Sequence, residues 1–291
     1  MLVLTYPKKQ SVAFSDTFLK HYESATETSE KEIHFDLSKI ESLTPLGVII
    51  LTATIYECSR QKKICRLSDP ENKLSKSFLQ EIGFYDHFGI DKILAANFDA
   101  VKQGSIQLRK TRGLDPMLIE TLIEILNYHL RISPGVKGFL QMSLIETMTN
   151  IIDHSEVEDY FVCCWMYPQK KQIRLCIADM GIGIKASLHK SEKYASVLND
   201  NRAIMLSTEE GVSSRPGRAG LGLSHIKKFL SVNKGQMCIV SGKGRVFWKF
   251  GQNKVLKQNM NQVFGGTIIK MVINTEKEWR YFLASEKDYL F

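Results

Sequence analysis

The chain has 291 residues, of which 44% are apolar, and this length and composition fit a globular protein of two domains. Its net charge of +8 permits an acidic partner, but the basic residues are scattered and form no dense stripe, so nucleic-acid binding is not expected. The six cysteines form no CxxC pair and the longest apolar run, Leu46 to Ile55, is too short for a membrane span, so we expect reduced thiols in a cytoplasmic protein without a signal peptide.

The first hundred residues alternate between strand and helix patterns, which predicts a small α/β unit whose sheet is covered by helices. The predicted elements are strands at 1–6, 32–37 and 64–67 and helices at 45–61 and 71–82. Thr44-Pro45 marks the start of the first helix, with a capping hydroxyl followed by proline at the first helical position. The polar segment from Gln107 to Pro116 is the predicted linker to the rest of the chain.

A helix-period apolar pattern then extends from Gly138 to Ile152. Glu146, Asn150 and His154 are four residues apart and therefore share one face of this helix. With Asp153 they form a polar face that suits Mg²⁺ bound to phosphate, because Mg²⁺ prefers oxygen ligands and keeps several waters. The alternative is an ordinary solvated helix face with a capping histidine.

Two apolar runs, 160–167 and 173–178, flank a turn-like Pro-Gln-Lys-Lys-Gln segment and predict a β-hairpin. Asp179 follows the second strand, where a carboxylate can accept a hydrogen bond from an exocyclic amine and so distinguish adenine from guanine. Gly181 and Gly183 allow the backbone to approach a ligand or to take a positive φ. The alternative is an ordinary turn after a strand.

Gly220 and Gly222 precede an amphipathic helix that begins at Leu223, and the exposed N–H groups at such a helix start form a phosphate site. The preceding segment, 190–219, is predicted to be a lid that closes over nucleotide, because its part from Ser207 to Arg218 is rich in turn formers and poor in core residues. Two of its side chains can reach a terminal phosphate through bidentate contacts or can instead be solvated loop charges: Arg215 and Arg218.

These segments occur in a fixed order, and Gly266-Thr267 followed by an apolar strand closes the series. In this order, from about residue 118 to 274, they resemble the boxes of the ATP-binding domain of the GHKL superfamily, which includes gyrase, the heat-shock chaperone, histidine kinases and MutL. The resemblance implies a Bergerat fold, an α/β sandwich that binds ATP with Mg²⁺. Two positions depart from the pattern, since Met180 stands where many members have Asn and Arg218 stands where the second glycine box usually opens with Gly.

The resemblance also implies roles for individual residues. Asn150 binds Mg²⁺, Glu146 orients or activates the attacking group, and Asp179 binds the adenine amine. Gly183 lines the base pocket, while the glycines before the last helix hold phosphates. The other predicted nucleotide-binding residues belong to the same boxes and the lid: Asp153, His154, Gly181, Arg215, Arg218, Gly220, Leu221, Gly222, Leu223 and Thr267.

The N-terminal unit resembles a STAS domain, as in anti-sigma-factor antagonists, through the patterns from Phe35 to Val48 and from Phe78 to Tyr85. Thr44-Pro45 occupies the place of the family's phosphorylatable Ser, so Thr44 is predicted to be a cap rather than a phosphosite. STAS-like domains bind proteins through their helical face. We therefore expect an α/β protein in which residues 1–105 form a STAS-like docking or regulatory domain and residues 106–291 form a GHKL ATP-binding domain.

Three functions remain open. One is a Mg²⁺-dependent ATP-binding or ATP-hydrolysing regulatory protein, in which the nucleotide state controls the lid and partner contacts. Another is an anti-sigma-type serine/threonine protein kinase that acts on a separate STAS partner, and the third is a non-enzymatic interaction module. The intact set of Glu146, Asn150 and Asp179 disfavours the third. The resemblance implies a protein partner, with a STAS-like or regulatory protein encoded nearby as the candidate, and it leaves a homodimer open.

Overall fold

A computed structural model describes residues 1–9, 16–87, 100–154, 159–212, 220–276 and 280–289, which form a mixed α/β structure. The strands are β1 (Leu2–Thr5), β2 (Glu32–Asp36), β3 (Ile64–Ser68), β4 (Ile106–Arg112), β5 (Arg131–Ile132), β6 (Asp159–Tyr167), β7 (Gln172–Asp179), β8 (Gln236–Lys249), β9 (Lys254–Asn274) and β10 (Arg280–Tyr281). The helices are α1 (Asp16–Glu27), α2 (Pro45–Arg60), α3 (Lys73–Glu81), α4 (Ala100–Gln103), α5 (Pro116–His129), α6 (Pro134–His154), α7 (Gly183–His189), α8 (Asp200–Ser207) and α9 (Gly222–Val232).

The N-terminal part contains a small parallel sheet in which β2 lies between β1 and β3. Helix α2 begins as its sequence predicts. The hydroxyl of Thr44 accepts a hydrogen bond from the Gly47 amide at 3.4 Å, and Pro45 occupies the first helical position. The predicted cap at Thr44 is therefore confirmed.

A larger sheet holds the strands of the second part in the order β4-β6-β7-β9-β8, with every neighbouring pair antiparallel. The predicted hairpin is present as β6 and β7. The register places Asp179, the last residue of β7, opposite Thr267 of β9. Separately, β5 and β10 form a short parallel pair.

Both faces of the large sheet are buried, which explains why its central strands read as continuous apolar runs. Along β6, Phe161 and Cys163 face a core that contains α1, α2 and the small sheet. Their neighbours Val162 and Cys164 face a second core that contains α5, α6 and α9. The chain therefore forms four layers: small sheet, helices, large sheet and helices.

Helix α2 lies between the two sheets, and its residues from Pro45 to Ile55 are all buried. A helix that is apolar on every side is one that is packed on every side. Further contacts join the two parts of the chain. The Tyr56 hydroxyl donates to Asp159 at 2.7 Å, and the Leu108 amide donates to the Ile82 carbonyl at 2.7 Å. Helix α2 is thus covered on one side by the large sheet of the second part of the chain.

The predicted linker from Gln107 to Pro116 is wrong. Most of it belongs to β4, an edge strand of the large sheet that pairs with β6. Its polarity has another cause: Leu108 and Thr111 are buried, whereas Arg109 and Lys110 are exposed at the sheet edge. Charged side chains are typical of edge strands, so a polar edge strand is easily mistaken for a loop.

Within the described ranges, no helix combines the length and the apolar character that a membrane span requires.

Candidate functional site

Helix α6 presents the first group of predicted site residues. The hydroxyl of Ser133 accepts a hydrogen bond from the Val136 amide at 3.2 Å, which helps to fix the start of this helix. Leu144 and Met148 are buried against the large sheet and set the rotation of the helix. As a result, the side chain of Asn150 reaches the pocket described below.

Asp179 lies at the end of β7 and is only 3% exposed. Its Oδ1 accepts a hydrogen bond from the Gly181 amide at 2.9 Å, which stabilises the turn after the strand. Burial raises the pKa of Asp179 to about 7, although hydrogen bonds from Gly181 and from the amide and hydroxyl of Thr267 oppose this rise. The carboxyl group is therefore poised to change its charge near neutral pH.

Two glycines with positive φ allow the backbone to pack closely around Asp179. Gly266 has a φ of +110°, and a Cβ atom there would lie 2.1 Å from the carbonyl oxygen of Asp179. Gly183 has a φ of +78°, and a Cβ atom there would lie 2.8 Å from the Ser241 hydroxyl. Any larger residue at either position would push the turn and the strand apart.

Helix α9 begins against α6. The amide of Leu221 donates to Oε1 of Glu146 at 2.6 Å, so the carboxylate occupies the positive end of this helix. Gly222 makes the close approach possible, because a Cβ atom there would lie 3.0 Å from the Thr147 amide nitrogen and 3.1 Å from the Glu146 Cβ. Gly220, with a φ of +57°, is held against the backbone of Val212.

A pocket lies between α6, α7, α9 and the end of the large sheet. Its lining includes five of the predicted site residues: Asn150, Asp179, Gly183, Leu223 and Thr267. Glu146, Gly181, Gly220, Leu221 and Gly222 are not in the lining but border it through the contacts given above. The structure thus brings the ordered segments of the sequence to one place.

No model of a known protein family matches the chain, and no curated protein does.

Four predicted site residues have no described side chain. Asp153 and His154 lie in the last turn of α6, where only the backbone is described. Arg215 and Arg218 fall outside the described residues.

The predicted lid stays a prediction, because 213–219 lie outside the described residues, but part of the segment is packed. Within the predicted lid, 190–219, α8 is a packed helix whose Ala203 and Ile204 are fully buried. Its Asp200 carboxylate also accepts a hydrogen bond from the Lys243 amide of β8 at 2.9 Å.

The pocket also contains residues that the sequence did not single out. Thr147 and Ile151 line it from α6, next to the predicted Asn150. Ser241 lies behind the pocket lining. Its hydroxyl donates a hydrogen bond to the Gly266 carbonyl and accepts one from the Ile184 amide, each at 2.9 Å. In the sequence, a polar serine stands between the apolar run of β8 and Gly242. This pattern is the signal for a serine that bonds to the backbone at this turn.

Proposed function

We propose that this protein is a Mg²⁺-dependent ATP-binding and ATP-hydrolysing regulatory protein of the GHKL superfamily. Residues 106–291 are its Bergerat-fold ATP-binding unit and residues 1–105 its STAS-like regulatory or docking unit. The nucleotide state controls a lid within residues 190–219 and the contacts with a protein partner.

One observation carries this proposal: a nearly fully buried carboxylate, Asp179, lines a pocket together with Asn150 and Thr267. Among the described residues, no lysine or arginine forms an ion pair with this carboxylate, and the hydrogen bonds to it come from backbone and hydroxyl groups. A buried acid with a perturbed pKa in a cleft is a candidate for ligand binding rather than for fold stability.

The donors around the pocket fit the parts of ATP. Asp179 can accept a hydrogen bond from the adenine amine, and the amides that open α9 can bind phosphate. Asn150 offers an amide oxygen of the kind that Mg²⁺ accepts beside phosphate oxygens. When bound, Mg²⁺ would neutralise phosphate charge and align the transferred group.

Glu146 is the residue proposed to activate the attacking group. In the described structure its carboxylate is bonded to the Leu221 amide, one of the groups expected to bind phosphate. A phosphate oxygen and this carboxylate compete for the same donor. Displacement of Glu146 from Leu221 would free a carboxylate that can accept a proton from the attacking water or hydroxyl.

Calorimetric titration with ATP and Mg²⁺ tests the binding site. We expect the parent protein to bind ATP more tightly than GTP and Asp179→Asn to lose most of its ATP affinity while remaining folded by circular dichroism. A folded Asp179→Asn variant with the parent's affinity would remove Asp179 from the site, and a parent protein without ATP binding would refute the function.

Incubation with γ-labelled ATP distinguishes the possible reactions, because a regulatory ATPase and a protein kinase need the same phosphate-binding groups. Free phosphate from the protein alone indicates hydrolysis. Label transferred to a STAS-like protein encoded nearby indicates the kinase. Tight binding without either product indicates a nucleotide-controlled module that does not turn ATP over.

A further inference from the structure

The N-terminal part of the chain holds one wall of the pocket. In β9, residues 263–265 pack against α1, where the rings of Tyr22 and Phe264 lie 4.7 Å apart. The Val263 amide donates to Oε1 of Glu23 at 3.0 Å. The Tyr22 hydroxyl donates to the carbonyl of Gly265 at the longer distance of 3.5 Å.

These contacts lie where the pairing between β9 and β8 becomes irregular. The pairing with β8 is regular up to Ser241 and Thr267 and then shifts register, with Gly242 opposite Phe264 and Gly244 opposite Asn259. A shifted register leaves backbone groups outside the ladder, and such an amide bonds to a side chain or to water instead. Glu23 supplies such an acceptor for Val263 from a different part of the chain.

The same segment continues directly into the pocket. Gly266 lies against the carbonyl of Asp179, and its own carbonyl accepts a hydrogen bond from Ser241 at 2.9 Å. The next residue, Thr267, binds the Asp179 carboxyl group through its amide and its hydroxyl. The three residues that contact α1, at 263–265, thus lie one to three positions before Gly266, the first residue of β9 that contacts Asp179.

We propose that Tyr22 and Glu23 are positioning residues for nucleotide binding, because they fix residues 263–265 and thereby hold Gly266 and Thr267 against Asp179. This proposal rests on the proposed function, since it assigns a role in the same pocket. It makes α1 the element through which the N-terminal part acts on the nucleotide. Movement of residues 263–265 changes the orientation of the Asp179 carboxyl group, which is proposed to bind the base amine. It therefore affects selectivity for the base as well as affinity.

Variants of Glu23 in the full-length protein test the proposal. Glu23→Ala removes the acceptor for the Val263 amide, whereas Glu23→Gln retains an acceptor oxygen without the charge. Glu27→Ala is the matched control, because Glu27 is an exposed acid one turn further along α1. Affinities for ATP and GTP are measured by calorimetry with Mg²⁺, and thermal unfolding confirms that each variant is folded.

We expect Glu23→Ala to weaken ATP binding by roughly fivefold to tenfold and to lower the ratio of ATP to GTP affinity, as a lost charge-assisted hydrogen bond coupled to the site would. Glu23→Gln should restore most of the affinity, and Glu27→Ala should match the parent. A folded Glu23→Ala with the parent's affinity and base selectivity would overturn the positioning role alone. A parent protein that does not bind ATP would overturn this inference together with the proposed function.

Discussion

The raised pKa of Asp179 predicts how the free energy of unfolding depends on pH. Burial raises this pKa from 3.8 to about 7 in the folded protein. In the unfolded chain the carboxyl group is hydrated and titrates near its ordinary value of about 3.9. Between these two values the folded protein holds a proton that the unfolded chain has released, so the free energy of unfolding falls as pH rises.

The size of the effect follows from the shift. A difference of about three pH units at 1.36 kcal/mol per unit corresponds to about 4 kcal/mol, as an order of magnitude. The contribution of Asp179 is fully present below about pH 4, decreases as pH rises and is lost above about pH 7. Replacement of Asp179 by Asn removes this titration without a large change in side-chain volume.

Urea unfolding followed by circular dichroism, from about pH 4 to about pH 8, measures the effect in the parent and in Asp179→Asn. The difference between the two free energies is the useful quantity, because other titrating groups cancel. His21 is one of these, since burial lowers its pKa to about 4 in both proteins. The substitution also changes the free energy of unfolding by an amount that does not depend on pH. This amount does not affect the test, because only the change of the difference with pH is compared.

We expect the parent to lose up to about 4 kcal/mol relative to Asp179→Asn over this range, with most of the loss between about pH 4 and 7. The same variant should lose ATP binding at pH 8, where circular dichroism checks that it is folded. Two pH profiles that run parallel would show that Asp179 titrates normally in the folded protein. The inference that burial outweighs the hydrogen bonds to this carboxyl group would then be wrong.

Other predictions concern the rest of the pocket and the core. Glu146→Ala should lower turnover by roughly 10²–10⁴-fold yet tighten a non-hydrolysable ATP analogue several-fold by freeing the Leu221 amide; equal turnover or weaker binding would contradict this. Gly266→Ala should lower the free energy of unfolding in urea by roughly 1–3 kcal/mol. Gly138→Ala should raise it by about 0.5–1 kcal/mol, because a Cβ atom at Gly138 meets open space and alanine favours the helix. The fragment 106–291 should bind a hydrophobic dye or aggregate, because one face of its sheet is uncovered; a well-behaved, ATP-binding fragment would refute the shared core.

Local patterns predicted many of the elements. The strand–helix alternation of the N-terminal part, the helix from Gly138 to Ile152 and the hairpin before Asp179 were all readable from periodicity. The start of α2 was readable from Thr44 and Pro45 because a cap is made within four residues. Such features depend on neighbours in sequence, so the sequence contains the information needed to predict them.

Local composition misses two features of the structure. Segment 107–116 was predicted to be a linker because its exposed charges resemble those of a loop, although pairing with β6 makes most of it a strand. Helix α8 falls within the predicted lid segment, yet its Ala203 and Ile204 are buried in two different core clusters. Edge strands and short packed helices are defined by partners that are distant in sequence, which local composition does not record.

The sequence by itself determined which residue types belong to the candidate site, because the order and spacing of acids, amides and glycines are local properties. Only the tertiary structure decided how those residues meet: that Glu146 binds the Leu221 amide, that burial makes Asp179 titrate near neutral pH, and that α1 holds the wall beside it. Burial and electrostatic shifts depend on every layer packed around a group, and here one of those layers comes from the other half of the chain.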